Sequence, residues 1–225
     1  MKRAQGNRSK LVEKTIRIKI CGMREAANIV TVASMRPDYL GFIEYPLSPR
    51  FVGYKFRMPA LPSAIERVGV FVSETLENVR NRIKVVGYDA VQLHGDESPD
   101  FASKMRDDGV KVIKVFRVDD NFDFNETKPF VGRVDQLLFD ARGKQPGGNG
   151  IRFNPMILRR YDQEVPFFLS GGLQPETLKE NIAELSEMNL YGVDLNSGVE
   201  TAPGLKDAFR VQTSINHIND LRKNR

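Results

Sequence analysis

The sequence predicts an α/β protein with a single (β/α)8 barrel, the architecture also called a TIM barrel. Short apolar runs alternate with longer stretches of mixed polarity, which is typical of strands and helices that follow one another. There are eight such runs, spaced roughly 25 residues apart, as a barrel of eight β–α units requires. The chain length of 225 residues also lies within the usual size range of this fold.

The predicted strands are short runs rich in β-branched and aromatic residues. Most of them do not alternate apolar with polar residues, which indicates a parallel sheet covered by helices. An open, doubly wound sheet is the alternative, but the Gly-x-Gly-x-x-Gly pattern of dinucleotide-binding folds does not follow the first run. In chain order the eight runs cover residues 16–20, 39–43, 68–72, 90–93, 112–118, 136–139, 167–169 and 192–195.

Three of the stretches between the runs begin with helix-start signals. Ser73 and the acidic residues after it precede apolar residues at helical spacing, and Ser98 followed by Pro99 opens a second such stretch. Pro175 comes after a Gly-Gly turn and is followed directly by an acidic residue, as in the first turn of a helix. We therefore expect helices to begin near these positions.

The composition is that of a globular protein with a sizeable core. With 40% hydrophobic and 28% charged residues, 18 Gly and 12 Pro, it excludes collagen-like, low-complexity and fully disordered chains. No uncharged apolar run approaches the roughly 20 residues of a transmembrane helix, and no apolar stretch follows the basic N-terminus as in a secretory signal. Cys21 is the one cysteine and cannot form an internal disulfide. These features predict a cytoplasmic protein that does not interact with membranes.

The net charge of +5 is concentrated at the N-terminus. Residues 1–19 contain seven basic residues and one acidic residue, a net charge of +6, so the rest of the chain carries about −1. Nucleic-acid-binding proteins normally present a basic face interleaved with aromatic residues, and this pattern is missing here. We predict no nucleic-acid partner, a flexible leader over residues 1–14 and one barrel domain over residues 15–225.

Four chemically versatile side chains fall where predicted strands end. Cys21, His94, Asp140 and Asp194 close or follow the first, fourth, sixth and eighth runs. The active site of a (β/α)8 barrel lies at the carboxyl-terminal ends of the strands, so we predict that these side chains converge. Structural interpretations remain open: a lone cysteine is often a buried apolar side chain, Asp140 is able to cap a loop, and His94 is able to bond a neighbouring loop.

Two glycine-rich turns follow the seventh and eighth runs, at Gly171-Gly172 and at Ser197-Gly198. Barrels often bind a phosphate group there through backbone N–H groups, and glycine lets the anion approach the backbone closely. The two turns together predict a small phosphosugar substrate whose phosphate they hold. The two histidines are 123 residues apart and no carboxylate-rich triplet accompanies either, so we predict no metal site.

Seven segments of the chain resemble the phosphoribosylanthranilate isomerase family, whose members are (β/α)8 enzymes of tryptophan biosynthesis. The segments occur in family order and extend over about residues 16–210. The blocks KICG, QLHG, SGGL-P and SGVE-x-x-PG-KD are highly specific in combination. The seven segments are KICGMRE (19–25), GFIEYPLSPRFV (41–52), VGVFV (68–72), AVQLHGDE (90–97), LFDARGKQPGGNG (138–150), FFLSGGLQPE (167–176) and GVDLNSGVETAPGLKD (192–207).

The resemblance implies an acid–base Amadori rearrangement that needs no cofactor. Its substrate is the aminoaldose N-(5'-phosphoribosyl)anthranilate, and its product is the aminoketose 1-(2-carboxyphenylamino)-1-deoxyribulose 5-phosphate. By similarity, Asp140 is the general acid that protonates the furanose ring oxygen, and Cys21 is the general base that removes the proton from C2'. Arg50 is implied to bind the anthranilate carboxylate, a task for which a forked guanidinium is well shaped. His94 and Asp194 match family positions near the substrate.

Two sequence differences from the family pattern leave these implied groups in place. Glu44 and Tyr45 stand where an apolar pair is common, and Asn196 stands where serine is usual. Two other functions remain open, namely another phosphosugar barrel enzyme such as indole-glycerol-phosphate synthase, and an inactive barrel that acts as a binding protein. The presence of Cys21, Asp140 and Arg50 together favours the isomerase. The sequence is compatible with either a monomer or a homodimer.

Overall fold

Eight parallel strands form a closed barrel, which confirms the predicted fold. Each strand pairs with the next in parallel, and the eighth pairs with the first to close the barrel. The computed structural model describes residues 15–141 and 155–223, and the predicted leader at residues 1–14 lies outside the described residues. The strands are β1 (Arg17–Ile20), β2 (Tyr39–Ile43), β3 (Glu66–Phe71), β4 (Ala90–Leu93), β5 (Lys111–Val118), β6 (Gln136–Ala141), β7 (Phe167–Ser170) and β8 (Leu190–Leu195).

The α-helices follow five of the strands rather than all eight, so the expectation of a helix after every strand is wrong for the described residues. The stretch between β2 and β3 contains four prolines, which remove helical hydrogen bonds, and it forms no helix. Short 3₁₀ helices at Phe124–Phe130 and Pro155–Arg160 follow β5 and β6. The α-helices are α1 (Ala26–Ser34), α2 (Leu76–Arg82), α3 (Pro99–Asp107), α4 (Pro175–Glu184) and α5 (Ala208–Lys223). None of the helices described is both long and apolar enough to span a membrane.

Two of the three predicted helix starts are confirmed, and the third is displaced by two residues. The Ser98 side chain caps α3 by accepting from the N–H of Phe101, and α4 begins at Pro175. Helix α2 is capped by Thr75 instead of Ser73, through a hydrogen bond from the N–H of Asn78. Ser73 has a positive φ of 50°, which places it in a turn before the helix.

Inward-facing side chains form two layers in the barrel. The lower layer is apolar and holds one buried cluster, in which the ring of Tyr39 packs edge-on against Phe168. Successive residues of a strand face opposite sides, so the inward positions two residues further along form the layer above. That upper layer is polar and reaches the carboxyl-terminal ends of the strands; it contains Lys19, Gln92, Asp140, Ser170 and Asp194. The fold thereby collects polar groups at one end of a closed apolar core.

A short hairpin after β8 was not predicted from the sequence. Its strands are β9 (Glu200–Ala202) and β10 (Leu205–Lys206), which pair antiparallel. Lys206 Nζ lies 2.7 Å from Glu200 Oε1, so the hairpin brings two charged side chains together beside the end of β8.

Candidate active site

A cavity of about 160 Å³ lies at the carboxyl-terminal ends of the barrel strands. Its wall includes eight of the nine predicted site residues, and Arg50 is the exception. Apolar Ile43, Val70 and Leu173 and polar Gln92, Ser170 and Asn196 complete the wall. The predicted residues that line it are Cys21, His94, Asp140, Gly171, Gly172, Asp194, Ser197 and Gly198.

Lys19 and Asp194 form a buried ion pair beside Cys21. The two residues are register partners on β1 and β8, and Lys19 Nζ lies 2.9 Å from Asp194 Oδ1. The Ser170 hydroxyl lies 3.4 Å from the other carboxylate oxygen. Gly41 on β2 leaves room for this arrangement, because a Cβ there would stand 2.7 Å from Cys21 Sγ and 3.0 Å from Lys19 Nζ. The ammonium group is therefore adjacent to the thiol.

Burial and the neighbouring lysines act in opposite directions on the pKa of the Cys21 thiol. Burial, the largest influence, raises the pKa of Cys21 above its usual value, and the charge of Asp194 acts in the same direction. Lys19 and Lys206 oppose this rise without cancelling it. Burial also lowers the pKa of Lys19, but the interactions of Lys19 with Asp194 and Cys21 outweigh that effect, so its pKa lies above the usual value. Lys19 is thus a cation held inside the barrel, and Cys21 without ligand is a thiol at neutral pH.

His94 and Asp140 lie on another part of the cavity wall. His94 Nε2 is 3.7 Å from Asp140 Oδ2, and His94 Nδ1 is 3.2 Å from Gln92 Nε2. The loop that follows His94 is fixed by Glu97, which accepts from the backbone N–H of Gly95 and pairs with Lys114 at 3.1 Å. These contacts make the imidazole a fixed neighbour of the carboxyl group at the end of β6.

Arg50 lies outside the cavity wall and is held by a carboxylate. Its Nε and Nη2 atoms donate to Glu200 at 2.9 and 2.6 Å. Glu200 also accepts from Lys206 Nζ and from the N–H of Gly204. Burial raises the pKa of Glu200, but these donors outweigh burial and lower it to about 2. The side chain of Arg50 passes next to Gly22, where an added Cβ would stand 2.8 Å from Arg50 Cδ.

The glycine turns allow close backbone approach. Gly171 and Gly172 have φ values of 99° and 63°, which favour glycine. Gly198 is needed for space, because a Cβ there would stand 1.9 Å from the carbonyl oxygen of Leu173. The turn after β8 is fixed from outside by Arg210, whose Nε donates to the Gly198 carbonyl at 2.9 Å.

Asn196 and Glu44, two of the residues that depart from the family pattern, are both held by hydrogen bonds. Asn196 accepts from Lys206 Nζ at 2.8 Å through its amide oxygen, so the residue ties the end of β8 to the hairpin. Glu44 accepts from Arg82 and from the hydroxyl of Tyr88, away from the cavity wall. Among residues 15–141 and 155–223 there is no group of three or more His, Cys, Asp or Glu able to hold a metal ion.

Sequence reasoning missed Gln92, Glu200 and the roles of Ser170 and Lys206 around the cavity. Gln92 was detectable, because it stands two residues before His94 and therefore faces the same side of its strand. Glu200 and Lys206 lie in the SGVE-x-x-PG-KD block that carries the family resemblance, but neither strand period nor position at a strand end singled them out.

Comparisons with known proteins identify a family that the chain matches over most of its length. The family model for N-(5'-phosphoribosyl)anthranilate (PRA) isomerase matches residues 18–217. The N-(5'-phosphoribosyl)anthranilate isomerase of Parabacteroides distasonis is 41% identical over 208 residues, which cover 89% of this chain and 92% of that protein. The protein of the same name from Phocaeicola vulgatus is 41% identical over 201 residues, which cover 89% and 97% of the two chains.

Solved structures show the same relationship. The phosphoribosyl anthranilate isomerase of Thermotoga maritima superposes with a TM-score of 0.79 at 29% identity, covering 91% of this chain and 99% of that one. A structure of such an isomerase in complex with reduced 1-(o-carboxyphenylamino)-1-deoxyribulose 5-phosphate gives 0.76 at 28% identity, covering 91% and 99%. With a matching family model and relatives above 40% identity, the chain belongs to the N-(5'-phosphoribosyl)anthranilate isomerase family.

Proposed function

We propose that this protein isomerises N-(5'-phosphoribosyl)anthranilate to 1-(2-carboxyphenylamino)-1-deoxyribulose 5-phosphate in tryptophan biosynthesis. The observation that carries the proposal is the single cavity in which Cys21, Asp140 and both glycine turns meet. The family membership supports the same reaction, and a relative has been crystallised with a reduced form of the product.

The first step in the proposed mechanism is ring opening. The carboxyl group of Asp140 donates its proton to the furanose ring oxygen, the bond from that oxygen to C1' breaks, and the nitrogen lone pair forms a protonated Schiff base at C1'. This leaves Asp140 as a carboxylate 3.7 Å from His94 Nε2. A protonated ring nitrogen of His94, or an N–H at Nε2, would stabilise that carboxylate.

The second step is proton abstraction from C2'. The thiolate of Cys21 takes this proton, the electron pair forms a C1'–C2' double bond, and the Schiff-base nitrogen becomes neutral. Tautomerisation of the resulting aminoenol moves the proton of its C2' hydroxyl to C1', which gives the ketone, and transfer of the proton from Cys21 to Asp140 through solvent restores both groups. Lys19 stands beside Cys21 and stabilises the thiolate that this step requires.

Arg50 and the glycine turns bind the two ends of the substrate. Glu200 holds the Nε and Nη2 atoms of Arg50, so we infer that the remaining Nη1 end takes the anthranilate carboxylate. Gly171, Gly172, Ser197 and Gly198 hold the phosphate through backbone N–H groups at the opposite end. Asp194 acts through Lys19 and orients it. We infer that no metal or other cofactor takes part.

We infer that the protein acts either as a monomer or as a homodimer. We place the enzyme in the cytoplasm, because its single cysteine is a free thiol with a proposed catalytic role.

The test is turnover of N-(5'-phosphoribosyl)anthranilate, followed by loss of its fluorescence. The substrate is made in place by a coupled transferase, and a reaction without the isomerase gives the background. We expect Cys21→Ser and Asp140→Asn each to reduce kcat by about 10²-fold or more. Asp100→Asn is the matched control, because Asp100 is exposed and pairs with Lys104 on α3. A folded wild-type protein without turnover would refute the proposal and favour a binding protein.

A further inference from the structure

Gln92 is a buried side chain of the cavity wall, and only one of its two polar atoms has a hydrogen-bond partner among the described residues. The residue lies on β4 and only 1% of its surface is exposed. Its Nε2 lies 3.2 Å from His94 Nδ1. Its Oε1 is buried and has no hydrogen-bond partner among the described residues. A buried acceptor in this state is costly, and native proteins rarely leave one without a donor.

The two residues that pair with Gln92 on the neighbouring strands offer no donor from their side chains. Its register partners are Val70 on β3 and Ile113 on β5, and both are apolar. Val70 shares the cavity wall with Gln92. Gln92 itself is part of that wall, so the donor for Oε1 that we consider is a molecule bound in the cavity.

The contact with His94 determines which polar atom of the Gln92 amide has no hydrogen-bond partner among the described residues. With the amide nitrogen of Gln92 as the donor, Nδ1 of His94 is the acceptor, and this contact assigns the imidazole proton to Nε2. That N–H lies on the side of Asp140 Oδ2, 3.7 Å away. Rotating the amide by half a turn would reverse both features, since Oε1 would accept from Nδ1–H and the cavity would meet an NH₂ group. The arrangement in the structure combines an Nε2–H imidazole with a buried acceptor that has no partner among the described residues.

We propose that Gln92 is a specificity-determining residue of this enzyme: its Oε1 accepts a hydrogen bond from a ring hydroxyl of the phosphosugar, while its Nε2 fixes the tautomer of His94. The proposal rests on the proposed function, which supplies a ribose ring with hydroxyl groups at C2' and C3'. Such a ligand replaces an unpaired buried acceptor with a hydrogen bond. A sugar that lacks the hydroxyl leaves the acceptor unpaired, and for this reason it is rejected.

The first test compares wild type, Gln92→Met and Gln92→Glu, with Gln212→Met on the surface of α5 as the matched control. Reduced 1-(o-carboxyphenylamino)-1-deoxyribulose 5-phosphate is the binding probe, measured by calorimetry. We expect Gln92→Met to weaken its binding and to raise KM by about 10-fold, with a smaller change in kcat. Unchanged binding and KM in Gln92→Met, with Gln212→Met also unchanged, would overturn the proposal.

The second test removes the hydroxyl from the ligand. Anthranilate is condensed with 3-deoxyribose 5-phosphate to give a substrate, and with 2-deoxyribose 5-phosphate to give a competitive ligand that cannot form the ketone. For the wild type, we expect one of these two compounds to bind about 10-fold more weakly than N-(5'-phosphoribosyl)anthranilate. For Gln92→Met, we expect the same compound and N-(5'-phosphoribosyl)anthranilate to bind equally well. If both deletions weaken binding by the same factor in both proteins, Gln92 does not contact either hydroxyl.

The third test does not depend on turnover. Nitrogen-15 NMR of the histidine rings, with His217→Gln to assign the signals, reports the tautomer of His94. We expect protonation at Nε2 in the wild type and a shift of the proton to Nδ1 in Gln92→Glu, whose carboxylate only accepts. Protonation at Nδ1 in the wild type would mean that Oε1 already serves the imidazole, which would overturn the proposal even if the isomerase activity is present.

Discussion

Nζ of Lys19 lies 2.9 Å from Oδ1 of Asp194, and the two side chains are 0% and 5% exposed. The pair links β1 to β8, the two strands whose pairing closes the barrel. A buried ion pair is weak evidence for net stability, but removal of one partner leaves the other as an uncompensated charge. The pair is also adjacent to the thiol of Cys21. Its charges therefore affect both the stability of the protein and the pKa of the thiol.

Substitution of one partner of this ion pair should be far more harmful than substitution of both. We expect Lys19→Met to lower the free energy of unfolding by about 3–5 kcal/mol, because Asp194 remains buried and charged. The double variant Lys19→Met/Asp194→Asn should recover much of that loss. Urea denaturation measures both, and Lys104→Met, at an exposed pair on α3, should change stability by less than ~1 kcal/mol. A double variant as unstable as Lys19→Met would contradict the expectation.

The pH at which Cys21 ionises should lie on the alkaline side of an ordinary thiol. Burial raises its pKa, so the thiolate is a minor species at pH 7, and kcat/KM should rise with pH through 8 and beyond. Thiolate absorbance in the ultraviolet, taken as the difference from Cys21→Ser, reports this residue alone because the chain has one cysteine. Lys19→Met should move the titration to still higher pH. A thiol that ionises below pH 7.5 in the ligand-free protein would refute this assignment.

Glu200 should stabilise the protein in a pH-dependent way. Its pKa in the folded state is about 2, below the roughly 4.3 of an unfolded glutamate. A lowered pKa contributes stability that is present above the unfolded value and is lost as the pH falls through the folded value. Wild type should therefore be more stable than Glu200→Gln at pH 7, and the difference should shrink between pH 5 and 2. Urea titrations across this range measure it, and a difference that grows in acid would have the wrong sign.

Gly198 should be required for phosphosugar binding, because the backbone around it leaves no room for a Cβ atom. An alanine Cβ would meet the Leu173 carbonyl oxygen at 1.9 Å, and this backbone atom can yield only if the turn moves. We expect Gly198→Ala to raise KM by about 10-fold or more, since displaced N–H groups no longer converge on the phosphate. Gly132→Ala is the control: its φ of 74° strains the chain by about 1–2 kcal/mol, but the added Cβ meets no atom within 4 Å. KM values that change equally in both variants would point to general destabilisation.

Strand positions were predictable because they depend on local pattern. The run at 39–43 coincides with β2, and the run at 90–93 coincides with β4. The other strands differ from their predicted runs by a few residues at either end, as at β3, which begins at Glu66. The lack of a helix between β2 and β3 was foreseeable from the four prolines of that stretch, whereas the prediction of eight β–α units considered only the spacing of the strands.

The site was predictable to the extent that fold topology determines it. Parallel strands in a barrel place their carboxyl ends on one face, so Cys21, His94, Asp140 and Asp194 share a cavity although they are far apart in the chain. Gln92 follows from the same two-residue period. The position of Arg50 outside the wall did not follow, since the loop that carries it has no regular period to extrapolate.

The sequence by itself determined the barrel, the order of its strands and the face on which the candidate residues gather, because hydrophobic period and strand number are local properties. Only the tertiary structure decided how charges are paired. Lys19 meets Asp194 across 175 residues, and Arg50 meets Glu200 across 150. Closure of the barrel and the hairpin after β8 create these contacts, and the free energy of a buried charge depends on the partners that closure brings to it.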